Sequence, residues 1–313
     1  MKYQDLFGVL RGMIHFRCQS GLKETVLLAG FPRGGTTWLS EIINYWNDYR
    51  YMFEPFYSRY VPSLKKLSSE TYLRPGDNVP WTNLVMIDRI MTGRIRNPWI
   101  DRFNRKICYE NILIKDIRIH LALGWLKERF PALKVILLLR HPFAVAVSLQ
   151  KIGWRPGVKK YCRHQKLVED YLKPYVEPML GTRSDFERYV FSWCVEHYVP
   201  LKQFAGHPDV YVCFYEWFCM NVLKEAVKLL KWLGKPSHGL IESRLRRPSK
   251  MSKKHSAVYT GEDLVRSWTR SLSQEEVGRG VEILRLFKLD CLYDANPFPH
   301  IRPDTTLADL ALG

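Results

Sequence analysis

The glycine-rich segment at residues 30–37 constrains the fold more than any other part of the sequence. It follows an apolar run at residues 25–29, which is typical of a buried strand, and it leads into a stretch with helical spacing of apolar residues. A strand, a glycine-rich turn and a helix start in this order direct backbone N–H groups at an anion. The segment therefore predicts a phosphate-binding loop, in which Arg33 supplies a fixed charge and Thr36 and Thr37 supply hydroxyl donors.

The rest of the sequence alternates between apolar runs and helical patterns. We expect further strands at residues 49–53, 111–116, 133–139 and 210–214. We expect helices at about residues 35–47, 119–130, 142–149, 185–204, 215–233 and 263–286. The alternation predicts an α/β fold, with a central parallel sheet flanked by helices. A single domain spans residues 1–313 in this interpretation, with substrate-covering inserts at about 56–110 and 152–184 that we expect to be irregular apart from a helix near 82–92.

Composition narrows the class of protein. At 313 residues and 46% apolar content the chain is not disordered, and it contains no apolar run long enough to span a membrane. The formal net charge of +17 favours an anionic partner. Seven cysteines without a C-x-x-C pair indicate buried free thiols in a reducing compartment, and no ligand set has zinc-site spacing. We therefore expect a cytoplasmic protein without a metal, a lumenal catalytic domain being the alternative.

A second basic motif follows the apolar run at residues 133–139. Arg140 ends this run, Pro142 opens a helix and Ser148 lies within that helix. In nucleotide triphosphatases the loop G-x-x-x-x-G-K-[ST] carries a lysine, and here Thr36 occupies its position. Arg140 stands where an acidic residue would hold magnesium. The two motifs together predict an anion bound directly by the protein.

These motifs carry a family resemblance. Residues 31–39, Phe-Pro-Arg-Gly-Gly-Thr-Thr-Trp-Leu, resemble the 5′-phosphosulfate loop of the PAPS-dependent sulfotransferases, and residues 135–148 resemble their 3′-phosphate motif. The resemblance covers roughly residues 24–295. Arg33 stands where the cytosolic aryl branch usually has a lysine. The loop therefore resembles the carbohydrate and bacterial branches more closely than the cytosolic aryl branch. The resemblance implies a P-loop-like sulfotransferase fold and metal-free, in-line sulfuryl transfer from PAPS to a hydroxyl or amine of a small-molecule, glycan or lipid acceptor.

The resemblance also implies which residues hold the nucleotide. The loop is expected to bind the 5′-phosphosulfate, with Arg33 neutralising the leaving phosphate. Arg140 and Ser148 are expected to bind the 3′-phosphate. Trp38 and Tyr215 are expected near the adenine, although helix packing explains Trp38 equally simply. The implied cofactor-binding set is Arg33, Gly34, Gly35, Thr36, Thr37, Trp38, Arg140, Ser148 and Tyr215, with a looser assignment for Arg247, Ser249 and Lys250.

The general base is left open between three residues. Glu54 follows the strand at 49–53 and resembles the acidic position of the carbohydrate branch, so it ranks first. Asp116 ranks second and His120 third, although Asp116 also suits a helix cap and His120 a surface position. Lys115, at the end of another strand, is expected to hold the sulfuryl oxygens.

Two other functions compete with sulfuryl transfer. A P-loop small-molecule kinase would share the glycine loop, and a basic nucleic-acid-binding protein would explain the charge. Our expectation is a small-molecule or glycan acceptor, no nucleic acid and no membrane span. The sequence leaves the identity of the acceptor and the oligomeric state open.

Overall fold

The computed structural model describes residues 16–17, 24–64, 71–104, 108–155, 157–204, 206–236 and 263–301. The three loosely assigned nucleotide-binding residues, Arg247, Ser249 and Lys250, lie outside these ranges.

Seven strands occur in the described residues, and five of them form a parallel sheet. The strands are β1 Phe16–Arg17, β2 Glu24–Gly30, β3 Tyr49–Phe53, β4 Cys108–Tyr109, β5 Asn111–Asp116, β6 Lys134–Leu139 and β7 Val210–Phe214. The sheet has the order β3-β5-β2-β6-β7, and β1 pairs separately with β4. The predicted α/β fold with a central parallel sheet is confirmed. Its strands end at one edge, where Ala29 pairs with Asp116 and Gly30 with Leu138.

Both faces of the sheet are covered, which explains why its strands read as continuous apolar runs. On β2, Val26 and Leu28 pack into one buried cluster, while Leu27 and Ala29 pack into the other. Successive side chains of a strand point to opposite faces, so a polar side chain in a strand buried on both sides needs a partner, and Arg50 of β3 has one in Asp101 at 2.8 Å. The loops at the strand ends are left to carry the polar chemistry.

Helices fill both sides of the sheet. The longer ones are α1 Thr36–Ile43, α2 Trp81–Met91, α3 Leu123–Arg129, α4 Pro142–Lys151, α5 Val158–Arg163, α6 Val176–Leu180, α7 Asp185–Gln203, α8 Tyr215–Met220, α9 Val222–Trp232 and α10 Gln274–Leu286. A capping box opens α10, with Ser273 and Glu276 bonding to each other's backbone N–H. No helix of the described ranges has both the length and the apolar character to cross a membrane.

Four details of the predicted elements are wrong. The helix expected over 263–286 begins only at Gln274, after a separate 3₁₀ turn at Ser267–Arg270. The insert at 152–184 is helical, because Leu167, Leu172 and Met179 are fully buried and anchor short helical turns against the core. The helix expected over 35–47 ends at Ile43, since the Asn44 side chain bonds to both backbone polar groups of Tyr49 and turns the chain into β3. The helix expected over 215–233 is divided into α8 and α9 at residue 221.

The expectation of uniformly buried free thiols is also wrong. Cys108 is disulfide-bonded. Five other cysteines are free, and they range from buried (Cys194 and Cys213) through partly buried (Cys162 and Cys219) to exposed (Cys291). The spacing of cysteines along the sequence did not reveal the bond, because disulfide pairing depends on which loops the fold brings together.

Candidate active site

The predicted phosphate-binding loop connects β2 to α1 in a tight turn. The Gly34 N–H donates to the Phe31 carbonyl at 2.8 Å, and Gly35 has a φ of +95°. A Cβ on Gly35 would lie 2.5 Å from Cδ2 of Tyr215, so a side chain is excluded there by both backbone and packing. No side chain caps the N-terminus of α1. The helix therefore presents its first backbone N–H groups as donors for an anion.

The structure brings the two predicted phosphate motifs together. Arg33 Nε donates to Ser148 Oγ at 2.9 Å, and Arg140 Nη1 donates to the Arg33 carbonyl at 2.9 Å. Loss of solvent around the Arg33 guanidinium and repulsion from Arg140 lower the pKa of Arg33. Two guanidinium groups held this close repel each other, and an anion between them relieves that repulsion. The pair therefore favours a multiply charged ligand.

Arg140 is held from several sides. Its guanidinium lies 4.4 Å from the centre of the Tyr215 ring, and its Nη2 donates to the Leu264 carbonyl at 3.2 Å. Trp193 of α7 donates its indole N–H to the Arg140 carbonyl at 3.0 Å. Arg140 Nε is buried and has no hydrogen-bond partner in the described parts of the chain. An oriented arginine with an unused donor is suited to binding phosphate.

An aromatic group lies beside the loop. The Trp38 ring packs edge-on against Tyr215 at 5.6 Å and against Phe218 at 6.5 Å. Tyr215 is buried, and this burial raises the pKa of its hydroxyl. Of the two loop threonines, Thr36 is buried and Thr37 is half-buried. Trp38 thus makes the packing contacts that were the alternative to an adenine role, and a half-buried ring face is compatible with adenine as well.

Glu54 is clamped between two cations at the end of β3. Lys115 Nζ lies 2.6 Å from Glu54 Oε1, and Arg118 Nη1 lies 2.7 Å from Oε2. Burial on its own raises the pKa of Glu54, but the charges of Lys115 and Arg118 outweigh burial and hold it below its usual value. Burial lowers the pKa of Lys115. Glu54 has a positive φ of 46°, a conformation held by its N–H donating to the Lys115 carbonyl at 2.7 Å.

The other two candidate bases face the protein interior. Asp116 is fully buried and accepts hydrogen bonds from the backbone N–H groups of Phe56 and Arg118, at 3.0 and 2.7 Å. Burial raises the pKa of Asp116. His120 is also fully buried, with Nδ1 3.2 Å from Glu196 Oε2. That contact is short enough for an ion pair, but it lacks the alignment of a hydrogen bond.

A buried network of polar side chains fixes the residue that follows Arg140. His141 donates its backbone N–H to Glu216 Oε1, and Tyr293 donates to Glu216 Oε2, both at 2.8 Å. The His141 ring accepts the Phe143 N–H through Nδ1, and its Nε2 lies 3.1 Å from the carbonyls of residues 294 and 296. Burial lowers the pKa of His141 to about 3, so the ring is neutral with its proton on Nε2.

A cavity of about 360 Å³ opens next to the phosphate-binding loop. It lies between that loop, the segment after β5, and the segment from α4 through α5 to α7. Its polar and aromatic lining residues are Arg118, Trp154, Arg155, Lys160, Tyr161, Tyr189, Ser192 and Glu196, and Phe31, Pro32, Ile117, Leu149 and Gly157 complete it. Because it adjoins both the loop and the partner of Glu54, this cavity has the position of an acceptor site.

Several of these residues were not predicted from the sequence. Arg118 could have been recognised as a site residue, because it is a second cation three positions after Lys115 at the end of a predicted strand. Glu196 and Tyr161 could not, since their proximity depends on how α5 packs against α7. Within the described ranges, no group of three or more His, Cys, Asp or Glu side chains is arranged to hold a metal ion.

Comparison with known proteins gives one family match. The family described as "Sulfotransferase domain" matches residues 23–278. No curated protein matches the chain. Among solved structures, a sulfotransferase domain from the curacin biosynthetic pathway is 13% identical with a TM-score of 0.47, covering 86% of this chain and 98% of its own. Mouse sulfotransferase SULT7A1 complexed with PAP is 16% identical with a TM-score of 0.41, covering 93% and 90%. The family match covers well over half of the sequence, and the chain therefore belongs to the sulfotransferase domain family.

Proposed function

We propose that this enzyme, a PAPS-dependent sulfotransferase, binds the donor nucleotide across the two basic motifs and passes its sulfuryl group to an acceptor hydroxyl next to Glu54. The observation that carries this proposal is the contact between Arg33 and Ser148 at 2.9 Å, which joins residues 115 positions apart in front of the glycine loop. Donors from both motifs then converge on one anionic ligand. Sulfotransferases of this family act on small-molecule acceptors. That the acceptor is a glycan is part of this proposal.

The nucleotide is bound mainly through charge and backbone donors in this proposal. The uncapped start of α1 and Arg33 bind the 5′-phosphosulfate, and Arg140 and Ser148 bind the 3′-phosphate. Three features fit such an anion: the unused Arg140 Nε, the repelling guanidinium pair, and the close backbone approach at Gly35. The aromatic group of Trp38 and Tyr215 provides faces for the adenine.

The chemical step is a direct displacement at sulfur. The acceptor oxygen forms the new S–O bond while its proton passes to the Glu54 carboxylate, and the S–O bond to the 5′-phosphate breaks. The products are the sulfate ester, adenosine 3′,5′-bisphosphate and one proton. Arg33 neutralises the departing phosphate, and Lys115 stabilises charge on the sulfuryl oxygens. Arg118 keeps the carboxylate oriented through its contact with Oε2.

Glu54 is preferred as base over the two alternatives for a physical reason. Asp116 uses its carboxylate to accept two backbone N–H groups, and its full burial leaves no approach for an acceptor. The buried ring of His120 faces Glu196 and His197. Glu54 keeps an exposed fraction of 7%, whereas Asp116 and His120 have none, and it lies beside Arg118, which lines the cavity.

A ligand comparison tests the proposal. Adenosine 3′,5′-bisphosphate is expected to raise the melting temperature of the protein, whereas ATP with magnesium is expected to have little effect. Labelled PAPS is then screened against a panel of hydroxyl acceptors. Stabilisation by ATP with magnesium alone would instead favour a kinase, and stabilisation by an oligonucleotide but not by the bisphosphate would favour nucleic-acid binding.

The cellular location is proposed from cysteine chemistry. Disulfides persist in oxidising compartments and are rare in the cytosol, so the bonded Cys108 favours the lumenal alternative over a cytoplasmic location. Free cysteines elsewhere in the chain are compatible with either. Trapping the cysteines of the native protein with an alkylating agent, straight from cells, distinguishes the two locations by whether Cys108 is protected.

A further inference from the structure

The turn at residues 151–155, where α4 ends, exposes large apolar side chains between two cations. Its sequence is Lys-Ile-Gly-Trp-Arg, and all five residues are exposed. Ile152 and Trp154 have exposed fractions of 45% and 43%, and a Cβ built on the Gly153 between them would meet nothing within 4 Å. Single exposed apolar residues are common on proteins, but two large ones on one open turn are suited to contact with a partner.

The 151–155 turn is held in one conformation. Tyr189 of α7 donates its hydroxyl to the Trp154 carbonyl, and the Trp154 N–H donates to the Leu149 carbonyl at 3.2 Å. The Gly153 N–H donates to the Gln150 carbonyl at 3.0 Å, in a backbone conformation with a φ of +66°. A turn anchored in this way loses little backbone freedom when it contacts a partner.

Cations without acidic neighbours in the sequence surround these apolar side chains. Residues 151–163 include five Lys or Arg and no Asp or Glu. Four of the cations are exposed and form no ion pair within the described ranges, namely Lys151, Arg155, Lys159 and Arg163. Lys159 and Arg163 lie one turn apart on α5 and so share a face of that helix. The surface around the 151–155 turn therefore favours an anionic partner.

The proposed transfer reaction does not use these four cations. The two phosphate motifs supply Arg33 and Arg140, and the contacts of Glu54 involve Lys115 and Arg118. Exposed apolar side chains flanked by Lys and Arg are typical of surfaces that bind membranes. In such surfaces tryptophan lies at the level of the lipid headgroups, and the cations face anionic lipids.

We propose that the 151–155 turn docks onto an anionic membrane surface, with Ile152 and Trp154 entering the headgroup region and the surrounding cations facing the lipid charges. A nucleic acid would attract the same cations, but its phosphate backbone offers no apolar contact for Ile152, and this difference favours a membrane. Trp154 and Arg155 also line the cavity beside the phosphate-binding loop, so docking places one wall of that cavity at the bilayer.

Sedimentation with lipid vesicles tests this docking. The full chain is mixed, without nucleotide, with vesicles of phosphatidylcholine or of phosphatidylcholine and phosphatidylserine, so the result does not depend on the proposed function. The wild type is expected to bind the mixed vesicles about tenfold or more tightly than the neutral ones, and added salt should release it. Ile152→Ser/Trp154→Ser and Lys151→Glu/Arg155→Glu should each weaken binding to the mixed vesicles by about tenfold.

Two pairs of exposed residues elsewhere provide matched controls. Trp81→Ser/Val85→Ser removes a tryptophan and an aliphatic side chain from α2, where they are 76% and 37% exposed. Lys224→Glu/Lys231→Glu makes the same change of net charge on exposed positions of α9. Both controls should keep vesicle binding within a factor of about three, because salt screens charges that lie away from the contact. Thermal unfolding verifies that every variant is folded.

Three results would overturn the inference: no sedimentation with the mixed vesicles, equal sedimentation with both kinds of vesicle, or a loss in the controls as large as in the variants of the 151–155 turn. A single-stranded oligonucleotide provides the remaining comparison. Oligonucleotide binding that is lost in Lys151→Glu/Arg155→Glu but kept in Ile152→Ser/Trp154→Ser, without vesicle binding, would assign this surface to nucleic acid instead.

Discussion

Arg33 Nε lies 2.9 Å from Ser148 Oγ, so the phosphate-binding loop and the second basic motif touch directly across β2 and β6. In the proposed function, this contact joins two short motifs into one binding surface for a nucleotide that carries phosphate at both ends. Each motif contributes a different donor, so the two motifs can be tested by separate mutations.

Removing the donors of the second motif should weaken nucleotide binding. Arg140→Ala is expected to reduce affinity for adenosine 3′,5′-bisphosphate by roughly 10- to 100-fold, since a charge-assisted hydrogen bond contributes about 1.5–3 kcal/mol. Ser148→Ala removes a neutral donor and should cost about tenfold or less. Calorimetric titration measures both. Lys151→Ala, at the exposed end of the same helix, is the control, and a loss as large as that of Arg140→Ala would contradict the assignment.

Glu54→Gln should separate turnover from nucleotide binding. Loss of a general base typically slows turnover by roughly 10²- to 10⁴-fold, while bisphosphate affinity should stay within a factor of about two. Because Lys115 and Arg118 lower its pKa, Glu54 stays ionised below the usual range, and the acid limb of the wild-type pH–rate profile should lie below the pH at which an ordinary glutamate titrates. Glu177→Gln, an exposed site on α6, is the control. Full activity of Glu54→Gln would exclude its role as base.

Asp116→Ala should affect folding and not chemistry alone. It leaves the backbone N–H groups of Phe56 and Arg118 without their acceptor in a buried environment, at a cost of roughly 1–3 kcal/mol each. Urea denaturation measures this loss. If the variant keeps wild-type stability but loses turnover, then Asp116 is a catalytic residue and the proposed ranking is wrong.

Gly35 and Gly76 form a matched pair for measuring steric crowding in the loop. Both have positive φ, at +95° and +80°, but a Cβ on Gly35 meets the Tyr215 ring at 2.5 Å whereas nothing lies within 4 Å of one on Gly76. Gly76→Ala should therefore cost about 1–2 kcal/mol, from backbone strain alone. Gly35→Ala should cost more and should also abolish bisphosphate binding. Equal losses of unfolding free energy in the two variants would show that the Tyr215 ring moves aside at little cost, against the prediction.

Buried histidines should make stability depend on pH. Burial lowers the pKa of His197 to about 3 from 6.5, so between these values the unfolded chain binds a proton that the folded protein does not. Stability should then fall as the pH falls from about 6.5 towards 3, by about 1.4 kcal/mol per pH unit for this group. His197→Gln should reduce the slope by that amount in urea denaturation at several pH values. An unchanged slope would mean that His197 takes up its proton in the folded state.

The sequence was sufficient for the sheet but not for the interior of the site. The boundaries of β3 and β5 were predicted to the residue, because short, mainly apolar runs that end in Glu54-Pro55 or in Lys115-Asp116 leave few alternatives. The strand order was not predictable in this way. The sequence did not show that β5 lies between β3 and β2, where it supplies Lys115 as the partner of Glu54.

The inserts were the weakest part of the prediction. Residues 152–184 are rich in basic side chains, and the apolar residues that anchor their helices are widely spaced. The sequence therefore shows no clear helical periodicity there. The cavity wall likewise depends on contacts between distant segments, such as that of Tyr161 with Glu196, 35 positions apart. Periodicity reports on the face an element buries, and it carries no information on which element that face meets.

The position of β5 between β3 and β2 has a consequence for the geometry of transfer. Neighbouring strands are spaced by about 4.8 Å, so the carboxylate after β3 and the arginine after β2 start from strands roughly 10 Å apart, with Lys115 between them. In the proposed mechanism, this strand spacing places the incoming oxygen on one side of the lysine and the outgoing oxygen on the other. Displacement at sulfur requires these two oxygens on opposite sides, and the proposal assigns that separation to the backbone of the sheet.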